Sequence, residues 1–313
     1  MTEIIKVDGL VKRYKELIAV DNFSMSVKEG EILGLLGPNG SGKSTTINCI
    51  LSLLEFDKVK ITIMGKEMSS KAYDLKAMIG IVPQEVAVFD TLTVEENVDF
   101  YCGLYIKDRA TRKKYVDEAI DFVALNDFRK FRPGKLSGGL KRRLNIACGI
   151  AHKPRIIIFD EPTVAVDPQS RNKILEGIEE LNRQGATIIY TSHYMEEVER
   201  LANHIVIIDK GAAIAEGTVD ELKNMIKINE RINIEVKGID EAILDKIRDI
   251  RGVIRASYEE GNLKVEAGGG KHIVLDIVNM LQEEGYAMKR ISSEQPTLND
   301  VFLEITGKEL RDE

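Results

Sequence analysis

Cysteine is scarce in this sequence. Cys49, Cys102 and Cys148 are the three present in 313 residues, and no two form a CxxC pair. That excludes a disulfide framework or a cysteine-built zinc site and reads as reduced, mostly buried thiols. Long apolar runs are missing too: none approaches the ~18 residues that suggest a membrane-spanning helix. The first residues, Met1-Thr2-Glu3-Ile4-Ile5-Lys6, lack the basic start and long apolar core of a secretory signal, so the chain is expected in the cytoplasm. A basic excess is also absent. The formal charge is −7, whereas phosphate-backbone binding leaves a basic footprint, so no nucleic-acid partner is expected. The 43% hydrophobic and 30% charged content is that of a soluble globular protein, and the length suits one large domain or two.

The chain is organised around Gly37-Pro38-Asn39-Gly40-Ser41-Gly42-Lys43-Ser44-Thr45, which fits the phosphate-binding pattern G-x-x-x-x-G-K-[ST]. The stretch from Glu31 to Leu36 is apolar enough for a buried strand, and the residues from Thr45 onward can form a helix, expected to reach about Leu54. Gly37, Gly40 and Gly42 are expected to curl the backbone through positive φ, with N–H groups pointing inward. Such a nest, with the positive end of the following helix, attracts a polyphosphate. Lys43 then reaches for the β- and γ-phosphates and the Ser44 hydroxyl for Mg²⁺. The plainer alternative is a glycine-rich turn before a helix, and the flanking strand and helix weigh against it.

Short strands and turns are expected over residues 4–36, where Ala19 to Val27 alternates apolar and polar at period two. Tyr14 could stack on an adenine face, although a tyrosine in a strand is more often just half-buried. Met78 to Gln84 reads as a strand ending at Pro83, with the Gln84 amide beyond its edge as a candidate metal or water ligand. Helices are expected over 93–127: the first capped by Thr93 with Glu96 at capping-box spacing, the second from about Arg109 to Leu125. Ser137-Gly138-Gly139 opens another helix whose N–H groups could take a second anion, and Lys141-Arg142-Arg143 reads as its solvated face. Ile156 to Glu161 is an apolar strand delivering two carboxylates at its tip. Asp160 there suits Mg²⁺, and Glu161 suits the general base that polarises an attacking water. Asp167 precedes a helix from Pro168 to about Gln184. The strand Ala186 to His193 ends on His193 at its carboxyl tip, where open α/β sheets bind ligands.

In this order the motifs resemble the nucleotide-binding domain of ABC transporters, over residues 1 to about 220. The aromatic loop residue is Tyr14, Walker A runs from Gly37 to Thr45, and the Q-loop holds Gln84. The signature spans Leu136 to Leu140, Walker B ends in Asp160 and Glu161, the D-loop lies around Asp167, and the switch histidine is His193. The resemblance implies an α/β P-loop NTPase core with a RecA-like sheet, an antiparallel β subdomain and a helical signature subdomain. It implies ATP and Mg²⁺ as cofactors, with Ser44, Gln84 and Asp160 at the metal and Glu161, His193, Gln84 and Lys43 in catalysis. It further implies a head-to-tail dimer, in which Ser137, Gly138 and Gly139 reach the nucleotide held by the partner's Walker A, and a separate membrane permease beside Gln84. The chain would then lie on the inner face of the cell membrane.

The sequence departs from the family pattern at Leu140, where the signature usually ends in glutamine, and at Ala165, where glycine is frequent. If the backbone at Ala165 has positive φ, it is strained. Phe56 and Val59 stand where the family often has a proline–glycine turn. The nucleotide-binding domain is placed at 1–222 and an accessory α+β domain at 229–313, whose β-α-β-β-α-β order suggests a ferredoxin-like fold. The end, Glu294 to Leu303, resembles the tails of ATPase subunits in bacterial drug and peptide exporters. The reading is an ATP-hydrolysing subunit for a separate permease, exporting drugs, peptides or lipids. The alternatives are a soluble ATPase acting on ribosomes or DNA, an importer subunit, or a non-enzymatic ATP-gated module. The retained Glu161 and His193 argue against the last.

Overall fold

The computed structural model describes residues 2–57, 59–268 and 273–307. Two compact units divide the chain, one ending at Thr218 and the other beginning at Val219.

The first unit opens with a long antiparallel hairpin, β1 (Glu3–Tyr14) and β2 (Leu17–Lys28). On β2 the period-two burial of Phe23, Met25 and Val27 slips once, at Asn22, whose φ of 48° marks a bulge. The chain continues through β3 (Ile32–Leu36), α1 (Lys43–Ile50), β4 (Lys60–Ile63) and β5 (Lys66–Glu67). Met64 and Gly65, with φ of 51° and 74°, make the tight turn between β4 and β5. These strands form an antiparallel sheet ordered β2-β1-β4-β5. Then follow α2 (Tyr73–Lys76), β6 (Ile79–Val82), α3 (Val94–Gly103), α4 (Arg109–Phe122), α5 (Gly138–Ile150), β7 (Ile156–Asp160), α6 (Pro168–Arg183), β8 (Thr187–Ser192), α7 (Met195–Leu201), β9 (His204–Asp209) and β10 (Ala212–Gly217).

A second sheet is ordered β10-β9-β3-β8-β7-β6, with every pair parallel except β10 with β9. Strands β3, β7 and β8 are buried along their whole length, as strands covered on both faces must be. Register aligns their carboxyl ends: Leu36 lies beside Ser192, Asp160 beside Thr191 and Val82 beside Phe159. Ile47 and Ile50 of α1 sit in one core with Val7 and Phe23 of the antiparallel sheet and Leu35 and Ile158 of the parallel one. The site loops therefore emerge from a single rigid edge.

In the second unit, α8 (Val219–Asn224) leads to β11 (Glu230–Val236), α9 (Glu241–Arg248), β12 (Val253–Glu259), β13 (Asn262–Ala267), α10 (Ile273–Glu283), β14 (Met288–Glu294) and α11 (Leu298–Thr306). The sheet order is β12-β13-β11-β14, antiparallel throughout, with Ile243, Ile247, Ile277 and Leu281 of the helices packed on Ile232, Ile234 and Val265. This is the expected ferredoxin-like arrangement; His272, read as opening its second helix, lies outside the described residues.

Several element readings need correction. The helix after the P-loop stops at Ile50 rather than Leu54. Ser52 turns left-handed at φ 49°, and the N–H groups of Leu53 and Leu54 both donate to Asn48 O. The strands of the first hairpin are longer than period two alone indicated. Helices α7 and α11 and strand β10 were not anticipated; α11 is a capped helix, with Thr297 N–H bonded to Asp300 at 2.7 Å. Phe56 and Val59 are half-buried against the core, so they serve packing rather than a turn. Lys141-Arg142-Arg143 is not a solvated face. Arg142 is buried and donates to Pro83 O at 3.0 Å, and Arg143 donates to Val123 O at 3.0 Å.

The loop before α3 hangs on one buried amide. Asn97 accepts from Phe89 N–H at 2.8 Å and donates to the carbonyls of Phe89, Leu92 and Thr93 at 3.1, 3.2 and 2.9 Å. Asn97→Leu strands these groups, and an unmet buried polar group costs about 1–3 kcal/mol. Urea denaturation of the variant should show at least about 2 kcal/mol less stability; an unchanged midpoint would mean water satisfies the loop instead.

Candidate functional site

The P-loop wraps the start of α1. Gly40 and Gly42 adopt φ of 77° and 106°, as expected. Gly37 is not in the left-handed region. Its reason is space: a Cβ there would lie 2.3 Å from Ile208 O. Lys43 is 4% exposed, and its Nζ donates to Gly37 O at 2.8 Å and Pro38 O at 3.0 Å. These bonds fold the lysine back under the loop it must serve. The amides of Ser44 and Thr45 occupy the first turn of α1, where N–H groups have no acceptor within the helix.

A cavity of about 440 Å³ opens over this loop, within the range of small-molecule sites. Tyr14, Asn39, Gly40, Gly42, Lys43, Ser44, Thr45, Gln84 and Glu161 line it, joined by Leu17, Ile18, Ala19 and Lys210. Tyr14 is 44% exposed at the end of β1. Neither Leu17, Ile18 nor Lys210 carried a motif; the β1–β2 hairpin and the β9–β10 turn bring them in. A larger groove, about 630 Å³, lies at the other end of the parallel sheet near Pro154 and Gly185. Its lysine and arginine are already engaged, Lys153 with Glu118 and Arg155 with Glu29, so it offers a phosphate nothing.

Glu161 is the centre of the site. Its side chain is 4% exposed, with Oε1 2.9 Å from Lys43 Nζ and Oε2 3.2 Å from His193 Nδ1. Gln84 Nε2 lies 3.4 Å from the same Oε2. Burial pushes this carboxyl up, but the hydrogen bonds and charges of His193 and Lys43 outweigh it and bring it down to about 2. The backbone at Glu161 is left-handed, φ 46°, and its N–H is fixed by the Thr191 hydroxyl at 2.9 Å. The same hydroxyl donates to Asp160 Oδ1 at 2.6 Å. Thr191 thus holds the Asp160 carboxylate and the Glu161 backbone at the strand tip, a role visible only once β7 and β8 are paired.

The residues fit a magnesium–nucleotide. Ser41 Oγ and Thr46 Oγ1 are buried without a protein partner, Lys43 and two helix-end amides face one space, and the Ser44 hydroxyl and Gln84 carbonyl on its wall are hard oxygen donors of the kind Mg²⁺ takes. Asp160, buried with Oδ1 bonded to Thr191, and His193 stand behind Glu161 rather than on the cavity wall. The metal would sit with Ser44, Gln84 and Asp160, where it would neutralise phosphate charge.

Ser137, Gly138 and Gly139 do not join this cavity. They cap α5, where Ser137 Oγ accepts from Leu140 N–H at 3.3 Å. Gly139 packs so tightly on α6 that a Cβ would meet Ser170 Oγ at 2.7 Å. The residues that reasoning from sequence passed over lie behind this helix. Arg142 and Asn145 both donate to Pro83 O, at 3.0 and 3.1 Å, and Asn145 accepts from Ala87 N–H at 3.1 Å. They tie the signature helix to both sides of Gln84.

Comparison with known proteins follows from this geometry. The family described as ABC transporter matches residues 20–164, and the family described as ATP-binding protein DrrA1-3-like, C-terminal domain, matches 217–306. The chain is 40% identical over 311 residues to the linearmycin resistance ATP-binding protein LnrL of Bacillus subtilis, covering 99% of this chain and 100% of that one. This chain belongs to the ABC transporter ATP-binding family. Daunorubicin resistance ATP-binding protein DrrA2 of Streptomyces coeruleorubidus is 32% identical, over 97% of this ABC protein and 95% of that one. A solved dimeric ATP-binding cassette in a post-hydrolysis state, bound to ADP and Pi, superposes with a TM-score of 0.63 at 28% identity, covering 68% of this chain and 98% of that one. As a member of this family the ABC protein binds and hydrolyses ATP. Among the described residues no helix is long and apolar enough to cross a membrane.

Two outcomes follow for the ABC site. Ala165 has φ 57°, the left-handed conformation in which its Cβ is strained. Ala165→Gly should raise stability by up to about 1 kcal/mol, the strain relieved less the glycine entropy; calorimetry showing a lower Tm would place no strain there. Lys43→Ala should leave the fold intact yet weaken ATP at least about 30-fold, the factor for a lost buried charge contact of about 2 kcal/mol. Titration calorimetry reading unchanged affinity would remove Lys43 from the phosphate site.

Proposed function

We propose that the chain is the ATP-hydrolysing subunit of a drug-type exporter, driving a separate membrane permease from the inner face of the membrane. The observation that carries it is the extent of the likeness. The linearmycin resistance relative, and the Nod factor export ATP-binding protein I of Ralstonia nicotianae at 33% identity, align over 100% and 96% of their own length, accessory unit included. A distinct domain division at 1–222 and 229–313 belongs to the same proposal.

In this reading Glu161 is the general base and is held back by its own neighbours. A carboxylate near pKa 2 is a poor base, and Lys43 is one of the groups that keep it there. Lys43 drawn toward phosphate leaves Oε1, and the basicity of Glu161 rises as that charge departs. Glu161 then accepts the proton of the attacking water, while His193 remains on Oε2 to sense the γ-phosphate. Ser44, Gln84 and Asp160 would hold Mg²⁺. Because Ser137 and Gly139 stand outside this chain's own cavity, they would serve the nucleotide of a second protomer in a head-to-tail dimer.

The permease face is placed on the segment after Gln84. Val86, Phe89, Phe100, Leu104 and Tyr105 are exposed apolar side chains on one stretch. Phe89 and Phe100 meet edge-to-face at 4.9 Å, so the patch is shaped rather than loose. Val88, Leu92 and Tyr101 of the same stretch are half-buried beneath it.

Glu161→Gln keeps the shape of the base without its proton affinity. Hydrolysis should fall about 10²–10⁴-fold, ATP should still bind, and the variant should accumulate as a nucleotide-bound dimer by light scattering, alone or with its permease. A variant that binds ATP and stays monomeric in both settings would overturn the shared site. Co-purification of the wild-type chain with a multi-span membrane protein tests the exporter reading separately.

A further inference from the structure

We propose that Glu197 is a positioning residue for ATP hydrolysis, fixing from the interior the strand end that carries His193; this rests on the roles given above to His193 and Glu161. Glu197 lies on α7, only 3% exposed. Its Oε2 accepts three hydroxyls: Tyr190 at 2.7 Å, Thr163 at 2.8 Å and Ser192 at 3.0 Å. Thr163 follows Glu161 by two residues, and Tyr190 and Ser192 precede His193 by three and one. One carboxylate oxygen therefore gathers the chain just beyond the base and just before the switch histidine.

The other oxygen reaches a different element. Glu197 Oε1 lies 3.4 Å from Arg171 Nε, on the first turn of α6. The Arg171 guanidinium sits 4.5 Å over the Tyr194 ring, and that ring lies 4.1 Å from the His193 ring. Tyr194 N–H also donates to Ser192 Oγ at 2.9 Å. His193 is thus bracketed on both sides, by Ser192 bonded to Glu197 and by Tyr194 stacked on Arg171. The same α6 turn carries Ser170 and Asp167, against which Gly139 of the signature packs. The start of α6 and the position of His193 are therefore set by one pair, a buried Glu197 and a half-buried Arg171.

Buried ion pairs are weak devices for stability, since desolvation cancels much of their attraction. Placement of a catalytic group is a different matter: a displacement of about 1 Å can cost about 10²-fold in rate. Glu197 meets that description because its hydroxyl partners all flank Glu161 or His193.

Glu197→Gln retains volume while replacing one acceptor oxygen and removing the charge that pairs with Arg171. The full-length variant should fold and bind ATP within about twofold of the parent, yet hydrolyse in a single turnover about 10- to 100-fold more slowly. In a His193→Ala background it should slow hydrolysis no further, because groups acting through one another are not additive. Arg171→Gln, at a half-buried position, should behave likewise, and it carries the test should Glu197→Gln not fold. Hydrolysis at the parental rate in the folded variant, or a loss that adds in full to that of His193→Ala, would overturn the proposal. His193→Ala hydrolysing at the parental rate would overturn the role of His193 and this inference together, whereas a slow His193→Ala beside a fast Glu197→Gln would overturn the inference alone.

Discussion

The site depends on one buried carboxylate and the two side chains that contest it. Glu161 lies between Lys43 and His193, out of water, at distances of 2.9 and 3.2 Å. Desolvation pushes the carboxyl here up; the two partners outweigh it and bring it down to about 2. The same contact gives the chemistry its order. Lys43 cannot serve Glu161 and a phosphate fully at once, so in the proposed mechanism binding charge at the P-loop and freeing the base are one event.

That contact exists because three strand ends share an edge. The P-loop leaves β3, Glu161 leaves β7 and His193 leaves β8, and β8 lies between the other two in the sheet. Parallel pairing puts every carboxyl end on the same side. Thr191, paired opposite Asp160, fixes the Asp160 carboxylate and the backbone N–H of Glu161 through one hydroxyl. The left-handed backbone at Glu161, costly for a residue with a Cβ, turns the chain out of β7 at that point. Core packing of Ile158, Ile189 and Leu35 around α1 keeps the edge from relaxing.

A second layer of ties runs through α5 and α6. Arg142 and Asn145 hold Pro83 and Ala87 on either side of Gln84, and Gly139 presses on the start of α6. The helical region is therefore joined to the strand edge at two places, beside Gln84 and beside the helix that carries Arg171. Each tie is a side chain that looks ordinary in isolation.

The P-loop, the Asp160-Glu161 tip and the capping box at Thr93 could be read directly from sequence, because each is a local device whose spacing is its mechanism. The alternating and apolar runs likewise identified most strands and the second unit's β-α-β-β-α-β order. Where reading failed, nonlocal packing was the cause. The left-handed Ser52 ended α1 early, Gly37 proved necessary for the proximity of Ile208 rather than for its own φ, and Arg142 turned inward to a carbonyl 59 positions away. Ala165 was flagged by its identity, but only the backbone angle of 57° decided that it is strained. Thr191, Glu197 and Arg171 left no motif, since hydroxyls, carboxylates and guanidiniums are common and their partners are far along the chain. The sequence by itself determined which groups could touch a phosphate. The pairing of β7 with β8 and the packing of α6 and α7 decided which groups hold those in place, because register and burial, unlike composition, exist only in the folded chain.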